Sequence, residues 1–161
     1  MITVAVLTLS DKGSKGERED ISGPLIAEIM KPIKADVRYY EILPDDKELI
    51  KETLLKYCGK ADLIITTGGT GLAPRDVTPD ATLEVIDKEV LGIAEAMRLE
   101  GFKKTRRAML SRAVAGIKGN TLIINLPGSP KAVRENLEII LDVIPHAIEK
   151  IKGDPSECAM S

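Results

Sequence analysis

The sequence predicts an α/β domain built on an open, mostly parallel β-sheet. Two continuous runs of apolar and β-branched residues, 2–9 and 62–67, are typical of strands that are buried on both faces. Segments with helical spacing of apolar residues lie between the strands. A glycine-rich segment directly follows the 62–67 strand, at the sheet edge where open α/β folds bind ligands. A chain of 161 residues with 43% hydrophobic residues can bury one core, so we predict a single domain over residues 1–153 and a flexible tail at 154–161.

The first half of the chain alternates strands and helices. The predicted elements are a strand at 2–9, a loop at 10–16, a helix at 17–31, a strand at 37–43, a helix at 47–57 and a strand at 62–67. Pro24 is compatible with the first of these helices, because proline is tolerated near a helix start. Either Asp45 or Asp46 can cap the 47–57 helix.

The second half begins with two helices and ends on a third. The predicted elements are helices at 79–88 and 92–103, a hairpin with arms at 112–117 and 121–126, and a helix at 131–141. Gly119-Asn120 forms the hairpin turn, and the second arm can also join the main sheet. Pro145 lies within the continuing helical pattern, so the last helix either kinks or restarts there.

Charge and cysteine content exclude several classes of partner. The 23 basic and 25 acidic residues give a formal net charge of −2, so no global positive field steers the chain onto nucleic acid or an anionic membrane. The N-terminal apolar run is too short for a signal peptide or a membrane span. Cys58 and Cys158 have neither metal-type spacing nor the density of a disulfide framework. We therefore predict a cytoplasmic protein without a nucleic-acid or membrane partner.

The glycine-rich segment is the most informative motif. Thr67 is followed by Gly68, Gly69, Thr70 and Gly71 at the end of a buried strand. Glycine lets backbone N–H groups approach an anion, which is how many proteins bind phosphate. The segment is neither a Walker motif nor a dinucleotide fingerprint. A tight turn without a ligand remains the alternative.

Charged residues lie in the same loop as the glycines and in the loop after the second strand. Arg75 and Asp76 follow the glycines, and Asp45 follows the 37–43 strand, so the fold places both acids at one sheet edge. Nucleotidyl transfer requires a cation on the polyphosphate and carboxylates that position it. A helix cap is the alternative role for Asp45.

Two further loops offer hydroxyls and backbone N–H groups, at Ser111-Arg112 and at 127–130. Each by itself is typical of an ordinary turn. His146 is the only histidine, and its place on the last helix favours a structural role. Hydrolase chemistry of the Ser-His-Asp or Cys-His kind is therefore disfavoured.

Taken together, the motifs resemble the MogA/MoaB family of molybdenum-cofactor proteins and the G domains of gephyrin and its plant counterpart. Motifs at family-like spacing run through nearly the whole chain. They lie at 9–11, 19–23, 43–45, 67–82, 109–112, 122–130 and 151–154.

The resemblance implies a three-layer α/β/α molybdopterin-binding fold with a mostly parallel sheet, a homotrimer, and Mg²⁺-dependent adenylylation of molybdopterin by ATP with release of pyrophosphate. It also implies hand-over of the product to a molybdenum-insertion protein. On the family pattern, Asp45 and Asp76 are the catalytic acids and the candidate Mg²⁺ ligands. The residues implied to bind substrate or nucleotide are Asp11, Ser22, Thr67, Gly68, Gly69, Thr70, Gly71, Arg75, Ser111, Pro127, Gly128 and Ser129.

Alternatives remain within and beyond this family. MoaB-type proteins share the motif that begins at Ser111 and in some organisms lack the activity, so a non-catalytic molybdopterin-binding carrier is the main alternative. Segments 75–82 and 125–128 resemble the active branch more closely, whereas Ser129 replaces the Gln or Asn often found there. The presence of both Asp45 and Asp76 favours an enzyme over a carrier. A trimeric scaffold is the third hypothesis, and the absence of a linker or second domain in this sequence weighs against it.

Overall fold

Parallel strands joined through helices produce a six-stranded mixed sheet in the computed structural model, which describes residues 1–155. The strands are β1 (Ile2–Leu9), β2 (Ala35–Leu43), β3 (Leu63–Thr67), β4 (Lys88–Glu89), β5 (Ala115–Lys118) and β6 (Thr121–Leu126). Their order is β2-β1-β3-β6-β5-β4. β2, β1, β3 and β6 are parallel, while β5 and β4 are added in antiparallel register.

Helices cover both faces of this sheet. They are α1 (Asp11–Ser14), α2 (Ser22–Ile29), α3 (Lys47–Tyr57), α4 (Thr78–Val85), α5 (Leu91–Lys104), α6 (Pro130–Ile140) and α7 (Ile144–Ile151), with 3₁₀ turns at Lys31–Ile33, Arg106–Leu110 and Leu141–Val143. Alternate β1 residues serve the two sides, because Val4 and Val6 pack with α2, α6 and α7 while Ala5 and Leu7 pack with α3 and α4. The expected three-layer α/β/α fold with a mostly parallel sheet is confirmed.

Two predicted helices are shorter in the structure. The 17–31 helix covers only Ser22–Ile29, and just before it the Asp20 carboxylate accepts the Gly23 N–H at 3.1 Å. The 79–88 helix ends at Val85, since Lys88 and Glu89 pair instead with β5. A tertiary strand contact overrides the local helical pattern there.

Other local differences have equally specific causes. The predicted 10–16 loop contains the short helix α1, whose first turn is capped by Ser10 Oγ accepting the Gly13 N–H at 2.9 Å. The first hairpin arm begins at Ala115 rather than at Arg112, which is bonded into another loop. The last helix restarts at Ile144 after a 3₁₀ turn, with Pro145 in its first turn.

The 47–57 helix is confirmed at both ends, and the structure shows which of the two aspartates caps it. Asp46 Oδ1 accepts the Leu49 N–H at 2.9 Å, so Asp46 and not Asp45 caps α3. Within residues 1–155, none of the helices combines the length and apolar character that crossing a bilayer requires. Of the predicted 154–161 tail, residues 156–161 lie outside the described part of the chain, as does Cys158.

Candidate active site

A large cavity lies where the parallel strands end. Here the loops that follow β1, β2, β3 and β6 surround a cavity of about 570 Å³. Of the residues predicted for the site, those that line this cavity are Ser22, Asp45, Thr67, Gly68, Gly69, Asp76, Gly128 and Ser129. The topology thus brings together residues from four separate loops at one sheet edge, as expected for an open α/β fold.

The segment Gly68–Gly71, called the glycine loop below, needs glycine for its backbone shape. Gly68 has φ +100° and Gly69 has φ +67°, conformations that other residues rarely adopt. A Cβ at Gly68 would overlap the Leu9 carbonyl, and a Cβ at Gly128 would approach Gly68 Cα to 3.3 Å. The turn at 127–129 therefore packs directly on the glycine loop.

This loop presents open hydrogen-bond donors. Among residues 1–155, no acceptor is bonded to the backbone N–H groups of Gly69, Thr70 or Gly71. By contrast, the Gly68 N–H donates to the Leu126 carbonyl at 3.0 Å, which ties the loop to β6. Three adjacent unpaired N–H groups beside a buried strand end can bind an anion.

Asp11 and Asp45 join the loops after β1 and β2. The Asp45 N–H donates to Asp11 Oδ1 at 3.0 Å, and the Asp11 N–H donates to Asp45 Oδ2 at 3.2 Å. Arg75 donates to both oxygens of Asp11, from Nε at 2.5 Å and from Nη2 at 2.8 Å. Hydrogen bonding from Arg75 lowers the pKa of Asp11 to about 2. Arg75 therefore pairs with Asp11, although Asp76 is its neighbour in the sequence.

The second oxygen of Asp45 has a different environment. Asp45 Oδ1 is buried and has no hydrogen-bond partner among the described residues. Burial raises the pKa of Asp45, and the negative charges of Asp11 and Asp76 act in the same direction. A buried carboxylate oxygen in a negative field is suited to a cation.

Asp76 lies in a tight turn across the cavity. Its Oδ2 accepts the Ala73 N–H at 3.0 Å, while its own N–H donates to the Ala73 carbonyl at 2.9 Å. A Cβ at Gly71 would come within 2.8 Å of Asp76 Oδ2, so the carboxylate lies directly beside the glycine loop.

Arg112 holds this loop, a role that was not predicted for it. Its Nε donates to the Gly71 carbonyl at 2.9 Å and its Nη2 to the Asp76 carbonyl at 2.5 Å. The same guanidinium donates to both oxygens of Asp80, at 3.0 and 3.2 Å. Because Asp80 is 32 positions away in sequence, no local pattern could have revealed the pair.

Several predicted hydroxyls support the cavity wall rather than face its interior. Ser22 Oγ donates to the Gly128 carbonyl at 2.8 Å, and Thr67 Oγ1 donates to the Pro127 carbonyl at 2.7 Å. Ser129 Oγ accepts the Ala132 N–H at 3.3 Å as the cap of α6. These bonds fix the position of the 127–129 turn.

Asp20 is a second residue whose role was not predicted from the sequence. It lines the cavity, and its Oδ2 accepts hydrogen bonds from Thr8 Oγ1 at 2.7 Å and from the Tyr40 hydroxyl. Partial burial, together with Asp20, raises the pKa of Tyr40 to about 12. The three side chains anchor the wall that precedes α2.

Ser111 lies in a neighbouring cavity. This cavity, of about 210 Å³, is enclosed by α5, the 3₁₀ turn Arg106–Leu110 and α6. Arg98 Nη1 donates to the carbonyls of Ser111 and Ala113, at 3.3 and 2.9 Å, and so orders its wall. Pro127 lines this second cavity while Gly128 lines the first, so one turn borders both. Asp11, Thr70, Gly71 and Arg75 line neither of the two cavities.

An open α/β sheet with unpaired backbone donors and two acids at its carboxyl edge has the features suited to a phosphorylated ligand. The chain matches the family described as "Probable molybdopterin binding domain" over residues 5–146. It belongs to this family.

Individual relatives are similar over nearly their whole length. The molybdopterin adenylyltransferase of Helicobacter pylori is 45% identical over 157 residues, which covers 95% of this chain and 89% of the relative. The molybdopterin adenylyltransferase of Pyrococcus furiosus is 43% identical over 150 residues, with 89% and 88% covered. A crystal structure of the molybdopterin biosynthesis enzyme MoaB from Thermus thermophilus is 51% identical and has a TM-score of 0.90, with 98% of this chain and 100% of that chain covered.

Proposed function

We propose that this protein is a molybdopterin adenylyltransferase, which transfers the adenylyl group of ATP to the phosphate of molybdopterin and releases pyrophosphate during molybdenum cofactor biosynthesis. One observation carries the proposal: Asp45, whose buried Oδ1 has no partner among the described residues, lines the same cavity as Asp76, Gly68 and Gly69. Relatives 43% and 45% identical to this chain bear the name of that enzyme.

The glycine loop and the 127–129 turn would bind the phosphates. Gly69, which lines the cavity, would donate its unpaired N–H to a phosphate oxygen and stabilise the charge that develops there in the transition state. The 127–129 turn borders both cavities. If the phosphate of molybdopterin binds at this turn, the pterin part of the molecule would lie in the second cavity, near Ser111. The two reacting phosphates are thereby held together, which lowers the entropic part of the barrier.

The two acids fit a magnesium ion. Within residues 1–155, no three His, Cys, Asp or Glu side chains cluster as a complete metal site. Magnesium on a nucleotide needs only one or two carboxylates, since phosphates and water complete its shell. Asp45 and Asp76 would hold it, and when bound it neutralises the triphosphate. The Asp11 carboxylate accepts hydrogen bonds from Arg75 and from the Asp45 N–H. Asp11 therefore positions Asp45 and does not compete for the cation.

Measurement of pyrophosphate release tests the proposed function. The purified protein should release pyrophosphate only when ATP, Mg²⁺ and molybdopterin are all present, and Asp45→Asn should abolish the release. Omission of each component in turn is the control. Tight pterin binding without pyrophosphate release under all conditions would instead assign the protein as a molybdopterin carrier.

The proposed function includes an oligomeric state and a cellular location. The protein would act in the cytoplasm as a homotrimer and pass its product to a molybdenum-insertion protein. Large apolar side chains exposed on α5 and the following 3₁₀ turn, at Leu91, Leu99, Phe102, Met109 and Leu110, offer surface for subunit contacts. Light scattering at micromolar concentration should give three times the 17.4 kDa subunit mass. A stable monomer or dimer would contradict the trimer.

A further inference from the structure

Thr78 is fully buried at the start of α4, beside the glycine loop. Its N–H donates to the Gly69 carbonyl at 3.2 Å, but its hydroxyl has no hydrogen-bond partner among the described residues. Within those residues, only one other buried side-chain oxygen or nitrogen shares this property, and it is Asp45 Oδ1. Burial of a polar atom without a hydrogen-bond partner lowers the stability of the folded protein. Two such atoms in one place therefore call for an explanation.

The two unpaired oxygens flank the same glycine. A Cβ built at Gly69 would overlap Thr78 Oγ1 and would come within 3.2 Å of Asp45 Oδ1. Both oxygens therefore border the space that a side chain at Gly69 would fill. One belongs to a hydrogen-bond donor and the other is an acceptor, so a bond between them would satisfy both.

Other buried threonines on helices use their hydroxyls differently. Thr53 Oγ1 donates to the Leu49 carbonyl at 2.8 Å, and Thr82 Oγ1 donates to the Thr78 carbonyl at 2.9 Å, in both cases four residues back along the chain. These bonds serve the helix itself. Thr78 is the first residue of α4 and has no helical carbonyl four residues back, and its hydroxyl lies beside Gly69.

We propose that Thr78 is a positioning residue of the active site, whose hydroxyl donates to Asp45 Oδ1 once substrate and cation are bound and holds that carboxylate towards the cation and phosphates. This inference rests on the proposed function, because it assigns Asp45 its role there. Thr78 touches no reacting atom. It acts on the reaction only through the orientation of Asp45.

The test compares variants that differ only in the hydroxyl. Thr78→Val removes it at nearly constant volume, Thr78→Ser restores it, and Thr53→Val removes a hydroxyl from a buried helical threonine on α3 as the matched control. Thr78→Ala provides the same comparison should valine prevent folding. For each folded variant we would measure kcat, affinity for a non-hydrolysable ATP analogue, and Mn²⁺ affinity in the presence of that analogue by electron paramagnetic resonance.

We expect Thr78→Val to lower kcat by about tenfold or more and to weaken Mn²⁺ binding, with little change in affinity for the analogue, the pattern of a lost transition-state interaction. Thr78→Ser should recover most of both losses. Equal kcat and equal Mn²⁺ affinity in Thr78→Val and Thr53→Val would overturn the inference. If the wild-type protein releases no pyrophosphate, the proposed function fails, and the Mn²⁺ comparison alone then decides the role of Thr78.

Discussion

Arg112 and Asp80 form a bidentate ion pair that fixes the segment carrying Asp76. The guanidinium reaches the two carboxylate oxygens at 3.0 and 3.2 Å and also donates to the carbonyls of Gly71 and Asp76. The Arg112 side chain thus connects both ends of the 71–80 segment to the loop that precedes β5. The position of the loop that carries Asp76 depends on the flat fork of donors that arginine provides.

Replacement of Arg112 by lysine should therefore damage activity more than stability. Arg112→Lys keeps the charge but cannot reach two carbonyls and a carboxylate at once. Since the paired side chains are 37% and 44% exposed, the ion pair itself contributes at most about 1 kcal/mol to the free energy of unfolding. We expect a small fall in melting temperature and a fall in kcat of about tenfold or more. Arg134→Lys, which alters an exposed pair on α6, is the control, and equal kcat in the two variants would contradict the role of Arg112.

Gly69→Val tests the phosphate-binding loop. A side chain at Gly69 is strained by φ +67° and would overlap Thr78 Oγ1, so the unpaired N–H groups should be displaced. Gly59→Val is the matched control, because Gly59 has φ +82° but no atom near the position of a Cβ. Both variants should lose stability, measured by circular dichroism, whereas only folded Gly69→Val should lose affinity for ATP and molybdopterin in titration calorimetry. Full affinity in that variant would refute the anion-binding role.

The Arg75–Asp11 pair predicts a specific pH dependence of stability. The pKa of Asp11 falls from 3.8 to about 2 in the folded protein, because Arg75 hydrogen-bonds to the ionised form. The contribution of the pair is then fully present above pH 3.8 and is lost as the pH falls through about 2. The difference in melting temperature between wild type and Arg75→Gln should therefore be small and positive at neutral pH and vanish in strong acid. High salt should reduce the difference at neutral pH, and a difference that grows on acidification would show that another group is responsible.

Local sequence patterns predicted much of this molecule, and the two site contacts that they missed share one cause. The apolar runs of β1 and β3 and the α3 segment Lys47–Tyr57 were assigned correctly because burial and capping are encoded within a few residues. The expected meeting of Asp45 and Asp76 at one edge followed from the parallel order of the strands. Arg112 with Asp80, and Asp20 with Tyr40, were missed because their partners are brought together only by the fold.

The family resemblance likewise supplied a set of residues but not their geometry. Asp11, Ser22 and Thr67 were all expected to bind substrate or nucleotide. In the structure, Asp11 engages Arg75 and Asp45, while the Ser22 and Thr67 hydroxyls donate to the backbone of the 127–129 turn. A motif reports which residues recur together, whereas the direction of each hydrogen bond depends on the packed chain.

Asp76→Asn separates a catalytic role for Asp76 from a structural one. In the structure, Asp76 Oδ2 accepts the Ala73 N–H at 3.0 Å, and the amide oxygen of asparagine can accept the same bond. The turn and the melting temperature should therefore be preserved. The substitution removes the negative charge that a hard cation requires, so an interaction made mainly in the transition state is lost. We expect kcat to fall by about two orders of magnitude or more while molybdopterin affinity changes little.

The measurement requires both quantities on one folded preparation: pyrophosphate release at saturating ATP and Mg²⁺, and molybdopterin binding by fluorescence. Asp142→Asn, an exposed acid in the 3₁₀ turn Leu141–Val143, controls for the loss of one charge. If Asp76 served only to shape its loop, Asp76→Asn would turn over at nearly the wild-type rate, because the bond to Ala73 survives. Loss of turnover with intact binding and an unchanged melting temperature would trace the defect to the carboxylate charge and its second acceptor oxygen, and not to the shape of the loop. That charge would then be acting on the cation or on the phosphates, which is the role that the cavity geometry and the buried, unpaired oxygen of Asp45 together predict.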